Sequence, residues 1–216
     1  MSVVALVPDD GCGEGVGRGQ SAALLPVAGV PLVVHLVRRL FAAGCVDRAL
    51  ISVAAEDLTA VSGALDQHGA GPPGAWSVLP TGRDGADAIR AAFAEALARV
   101  PAVEVVLGHQ VLRALAPPEL IERVTVATLA GHEPVVPVLP CSDTVKRLDE
   151  GLVVDTPDRT GLRVVQTPQG FPVGSLRSFS LVGARTVPGD PLARRLDTPF
   201  DLLAAEASLS VAGGAG

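Results

Sequence analysis

The sequence predicts a single α/β domain, residues 1–216, with a mostly parallel sheet and helices on both faces. Short apolar runs without polar alternation, Val3–Val7, Ala49–Val53 and Val103–Leu107, read as strands buried on both faces. Segments with apolar residues at helical spacing fall between such runs, the alternation expected of βα units. The 216 residues are 48% hydrophobic and 3% aromatic, which suits one aliphatic core, and no linker composition or internal repeat divides them.

Each element follows from local chemistry. Val3–Val7 is the first strand; it lacks the basic flank of a signal peptide, and Asp9 and Asp10 follow it closely. Leu32, Val33, Leu36, Val37 and Leu40 share one helix face, with Pro31 at the first turn and Gly44 at the C-terminal cap. Ala49–Val53 is the next strand and Asp57–His68 the next helix. The loop Gly69–Gly74 leads to a short strand at Trp76–Leu79, and the Gly82–Gly85 loop to a helix over Ala86–Arg99. Val103–Leu107 is a strand, a helix runs from Pro117 to about Leu129, and a strand follows at Val135. Beyond Phe171, the pattern predicts a helix over Pro172–Ser180, a strand over Pro191–Leu196 and a last helix over Pro199–Leu209. In such a fold ligands bind beyond the carboxyl ends of the strands, where the Gly11 loop, the Gly82 loop and His109–Arg113 converge.

Composition excludes several functions. A net charge of −6 leaves no basic stripe for nucleic acid. No run approaches the roughly 20 apolar residues of a membrane span. Cys12, Cys45 and Cys141 are widely spaced and include no CxxC pair, which predicts a reduced cytoplasmic protein without zinc. His35, His68 and His132 read as structural. Lys146 is the only lysine, so arginines must fill every other cationic role.

The glycine-rich stretch Pro8–Gly19 lets backbone amides approach a phosphate, or serves simply as a strand-to-helix connection. It is not a dinucleotide fingerprint. The third glycine of GxGxxG would fall on Val16, Arg18, Gln20 or Ala22, and no Gly-Lys pair makes a P-loop. Between Pro140 and Pro168, two prolines bracket a polar Ser142-Asp-Thr turn and an acidic Asp149-Glu-Gly151 turn, the pattern of a projecting two-stranded arm.

The words Ser142-Asp-Thr-Val-Lys146, Thr156-Pro-Asp-Arg159, Gly161-Leu162 and Gln166-Thr-Pro-Gln-Gly-Phe171 resemble the methylerythritol-phosphate cytidylyltransferases of the non-mevalonate isoprenoid route. The resemblance implies a Rossmann-like, GT-A-like nucleotidyltransferase sandwich of three layers. It implies a homodimer that exchanges the arm at about 140–168, and Mg2+-assisted transfer of a cytidylyl group from CTP to a sugar-alcohol phosphate. On the nucleotide side it assigns Pro8, Gly11, Gly13 and Gly82, and Arg83, displaced by two positions from the family's arginine, is a further nucleotide-binding candidate. On the acceptor side it assigns His109, Arg113, Thr144, Arg159 and Thr167. Arg18 and Arg195 are the candidates for catalytic cations.

The chain departs from the family on one side. Asp9 and Asp10 replace two small residues, Gly15 replaces an arginine, and Ser21-Ala22 stands where the family has Pro-Lys. Gly85 and Ala88 replace an arginine and a serine of the second loop. Gln110 takes the place of a metal-binding aspartate, and an amide oxygen is a poorer Mg2+ ligand than a carboxylate. The family's Lys-x-Thr becomes Arg195-Leu-Asp197. Two readings follow: an enzyme that uses Arg18, Arg83 and Arg195 as its cations, or a catalytically silent homologue that binds a partner or a small phosphate. Concentration of the losses on the CTP and metal side favours silence or strong impairment.

Overall fold

The computed structural model describes residues 2–9, 21–80, 94, 97–176 and 180–213. An eight-stranded sheet organises them. Its first half is parallel: β1 (Ser2–Pro8) lies between β4 (Arg48–Val53) and β6 (Val103–Gly108), and β5 (Trp76–Pro80) closes the edge beyond β4. Alternate residues of β1 explain the predicted burial on both faces. Val3, Ala5 and Val7 enter one core, with Ala49, Ile51, Val105 and Leu107. Val4 and Leu6 enter the other, with Leu50 and Val106.

The first core is covered by α1 (Leu32–Ala42), α2 (Leu58–Gln67) and α3 (Pro118–Leu129). Leu32, Leu36 and Leu40 of α1 are fully buried, as their helical spacing predicts. The second core is packed by Leu97, Val100 and Leu176. The predicted helix over Ala86–Arg99 falls mostly outside the described residues, as do Gly11, Gly13, Arg18, Gly82 and Arg83.

The sheet's other half is mixed. β7 (Val135–Pro140) leads into the arm, a hairpin of β8 (Arg147–Asp149) and β9 (Leu152–Asp155). Glu150 and Gly151 turn it with φ of 45° and 82°, the two left-handed positions that a tight hairpin requires. The chain then rejoins the sheet as β10 (Arg163–Val165), antiparallel to β7, and β11 (Gln169–Pro172), antiparallel to β6 and β7. A small hairpin of β2 (Pro26–Val27) and β3 (Val30–Pro31) precedes α1.

The tail departs from two expectations. Val173–Ser175 forms only a 3-10 turn where the pattern predicts a helix over Pro172–Ser180. Pro191–Leu196 is not a strand either: Pro191–Ala193 is a 3-10 turn, and the strand of this region is β12 (Arg185–Pro188), parallel to β7. The cause is local. The Asp190 carboxylate accepts from the Leu192 N–H at 2.8 Å and closes a turn before any strand can start. The last helix, α4 (Pro199–Gly213), begins with a box in which Thr198 and Asp201 cap each other. No helix among the described residues is long and apolar enough to cross a membrane.

Candidate nucleotidyl-transfer site

The parallel strands end at Pro8, Val53, Pro80 and Gly108, so the residues after them meet along one edge of the sheet. Beyond β1, the Asp9 N–H donates to Ser52 O at 2.9 Å, which fixes the carboxylate above the strand ends. That carboxylate accepts the Ser21 hydroxyl and, at 3.2 Å, the Ala22 N–H. Ala22 is 0% exposed and belongs to the core. The first turn of the site is therefore held by an internal anion, and Ala22, where the resemblance leads one to expect a lysine, is buried in packed hydrocarbon.

Beyond β6, His109 is 2% exposed. Its Nδ1 bonds the Thr167 hydroxyl at 2.9 Å, and the Gln110 N–H donates to the same oxygen at 3.2 Å. Burial, reinforced by the Arg113 charge, lowers the His109 pKa to about 3, so the ring is neutral at ordinary pH. Arg113 follows on a 3-10 turn. Its Nε donates to Gln110 Oε1 at 3.3 Å, and its terminal nitrogens donate to Ala193 O at 2.7 Å and Val165 O at 3.2 Å. Burial is the main cause that lowers its pKa; Arg195 lowers it further and Asp197 opposes the shift.

The tail completes this group. Leu196 N donates to Leu112 O at 2.9 Å, and Arg195 Nε to Asp197 Oδ1 at 2.5 Å. Gln166, 1% exposed, holds the tail in place with both halves of its amide: Nε2 donates to Asp190 O at 2.7 Å, and Oε1 accepts from Asp190 N at 2.9 Å. A Cβ on Gly189 would lie 2.2 Å from Gln166 Oε1 and 3.0 Å from Val138 O, so only glycine fits beside this clamp. Gln166 was legible as part of the Gln166–Phe171 motif. Its role was not, because it depends on a contact 24 residues away.

The remaining acceptor residues sit in the arm. Thr144 is exposed. Arg159 donates to the carbonyls of Ser142 and Asp143, and Lys146 Nζ to Thr156 Oγ1 at 2.7 Å. Within one chain, His109, Gln110, Arg113, Thr167 and Arg195 are thus gathered together. Thr144 and Arg159 form a second group on the arm, and no hydrogen bond among the described residues joins the two.

Among the described residues, the Gln110 position does not fit Mg2+. No cluster of three His, Cys, Asp or Glu side chains occurs among the described residues. Gln110 turns its amide oxygen to a guanidinium, where a divalent cation would meet positive charge.

The sequence profile of the family described as 2-C-methyl-D-erythritol 4-phosphate cytidylyltransferase matches residues 3–186. A protein of that name from Saccharopolyspora erythraea is 41% identical, over 97% of this chain and 100% of its own. Another from Nocardia farcinica is 40% identical, over 96% and 94%. Among solved structures, a 4-diphosphocytidyl-2C-methyl-D-erythritol synthase superposes with a TM-score of 0.76 at 21% identity, over 96% of this chain and 99% of that one. The enzyme from Anaerococcus prevotii gives 0.73 at 20%, over 97% and 96%. The structures share the fold and the sequence relatives share nearly the whole chain, and on these grounds the protein belongs to the 2-C-methyl-D-erythritol 4-phosphate cytidylyltransferase family.

Proposed function

We propose that this chain retains the acceptor half of the family's reaction and carries out cytidylyl transfer from CTP only at a strongly reduced rate. In that reaction a phosphate oxygen of methylerythritol phosphate attacks the α-phosphorus of CTP, and pyrophosphate leaves. Negative charge grows on the phosphoryl oxygens, and cations supply most of the stabilisation. The observation that carries the reading is the Asp9 carboxylate bound to Ser21 and Ala22. Where a triphosphate would need a cation, the chain presents an anion, and two donors that face it are already engaged. Lys146, the only lysine, is bonded to Thr156 in the arm.

Full-length relatives named as cytidylyltransferases support CTP and methylerythritol phosphate as the ligands. His109, Arg113 and Thr167 stand together on the acceptor side, with Thr144 and Arg159 supplied by the arm. The arm's exposed Leu148, Leu152, Val153 and Val154 support a homodimer in which it crosses to the partner. The unpaired thiols of Cys45 and Cys141 fit a reducing, cytoplasmic setting.

Calorimetric titration with CTP and Mg2+, followed by pyrophosphate release in the presence of methylerythritol phosphate, tests this reading. It predicts millimolar CTP affinity and slow turnover. Micromolar affinity with turnover typical of the family would overturn it. Methylerythritol phosphate binding with no turnover at all would identify a silent dimeric binding protein.

A further inference from the structure

The tail after β12 is anchored on both sides of the site. On the acceptor side, Gly189 N donates to Val138 O at 2.9 Å, and Gln166 clamps Asp190. Arg113 then holds Ala193 O, and Leu196 N holds Leu112 O. Ala193 and Leu196 are both fully buried. Just beyond Leu196, the box of Thr198 and Asp201 starts α4, so the last acceptor-side anchor runs almost straight into a helix.

That helix ends on the other side. Ala205 is buried in the main core, and Leu202 and Leu209 pack against it. Glu206, beside Ala205, accepts the Ala28 N–H at 3.0 Å, a contact that spans 178 residues of sequence. Ala28 has φ of 50°, a left-handed position that alanine rarely takes and that needs outside support. The other hold on this hairpin is His35, whose Nε2–H donates to Val27 O at 3.0 Å. The hairpin continues from the turn at 21–25, where Asp9 binds Ser21 and Ala22 and Leu25 O takes the Leu32 N–H at 2.8 Å. Between Leu196 and Glu206 the chain is mostly helix, which passes on a shift instead of absorbing it.

We propose that the tail is a strap that opens as one unit, and that Glu206 is the positioning residue that carries its state to the nucleotide-side turn. With the strap seated, Glu206 fixes the left-handed turn at Ala28 and, through it, the path of the chain back to Ser21. When the tail leaves Gln166 and Leu112, α4 withdraws Glu206, and the hairpin turn keeps only the His35 bond. Coupling of this kind is reciprocal, so loosening either end loosens the other. An acceptor that seats the tail therefore also orders the nucleotide-side turn, a step that rests on the acceptor role proposed above.

Amide hydrogen exchange of the full-length, isotope-labelled protein tests the strap, with the β1 amides as the reference for global opening. Glu206→Ala should speed exchange at Ala28 about threefold to tenfold, the worth of one hydrogen bond, and should also speed it at Asp190 and Leu196. Glu206→Gln keeps an acceptor oxygen and should restore all three. Gln166→Met, at the far end, should speed exchange at Ala28 without touching the hairpin. A purely local latch predicts that each variant alters only its own neighbours, and that result would overturn the proposal. If Gln166→Met does not fold, the response of Asp190 and Leu196 to Glu206→Ala decides alone. Added methylerythritol phosphate should slow exchange at Asp190, Leu196 and Ala28 together, and should leave Ala28 unresponsive in Glu206→Ala. Slowing in the wild-type tail with Ala28 unchanged would refute the coupling. No response to the ligand, with the variant effects intact, would refute the acceptor reading and leave the strap standing.

Discussion

Thr167 shows how much of the site depends on one hydroxyl. Its oxygen accepts from the Gln110 N–H, and its single proton has no other acceptor among the described residues than His109 Nδ1. The His109 proton then resides on Nε2, and a neutral ring is locked between the strand end and the arm base. Thr167→Val should leave that ring nitrogen without its donor and remove the hydroxyl that accepts the Gln110 N–H, at a cost of about 1–3 kcal/mol in a urea titration. Thr167→Ser should recover most of the loss. The same residue pair sets a pH dependence. The folded pKa of His109, about 3, lies below the unfolded 6.5. Its contribution to stability is thus fully present above pH 6.5 and is lost as pH falls through about 3, because the unfolded chain takes up the proton first. His109→Gln should flatten the decline of the unfolding midpoint across that window. An equally steep decline in the variant would assign the acid sensitivity to other groups.

At the level of elements, the arm and the tail were legible to different degrees, for physical reasons. The arm declared itself because Glu150-Gly151 encodes its own turn and the prolines encode its limits. Local chemistry settled it. The turn at Pro191–Ala193 is closed locally by Asp190, but its seat against Gln166 and Arg113, which approach from distant elements, was not legible, and the segment Pro191–Leu196 read as a strand. The β2–β3 hairpin was invisible because its left-handed turn positions are Ala28 and Gly29, with φ of 50° and 75°, and alanine seldom takes such a position. The arm also yields a test of assembly. Its hairpin has an exposed apolar surface, Leu152 being 71% exposed, and shares no core with the sheet. Replacing residues 145–162 with a short glycine linker should convert a dimer to a monomer in sedimentation, with little change in the sheet's own stability. A deletion variant that still sediments as a dimer would place the interface elsewhere.

For the whole molecule, the sheet was readable because burial on both faces forces unbroken apolar strands, and helices at fixed spacing follow from covering them. The family position of Ala22 was readable too, but its burial was not, since only the packed structure shows the side chain inside the core beneath α1. This changes how a cation could be restored. Lysine at this position must thread its stem out of close-packed hydrocarbon, which should cost about 1–3 kcal/mol of stability. Its ammonium would emerge beside Asp9, already bonded to Ser21 and Ala22, and would pair with that carboxylate rather than wait for a phosphate. Ala22→Lys alone should therefore leave CTP affinity in calorimetry nearly unchanged. Adding Asp9→Ala removes the internal anion, frees the ammonium and its neighbouring donors, and should tighten CTP about tenfold, equivalent to about 1.4 kcal/mol. Tightening by Ala22→Lys alone would mean that Asp9 does not control the turn. No tightening in the double variant would mean that the triphosphate no longer has a place there, and that the family's fold has been kept for its acceptor side.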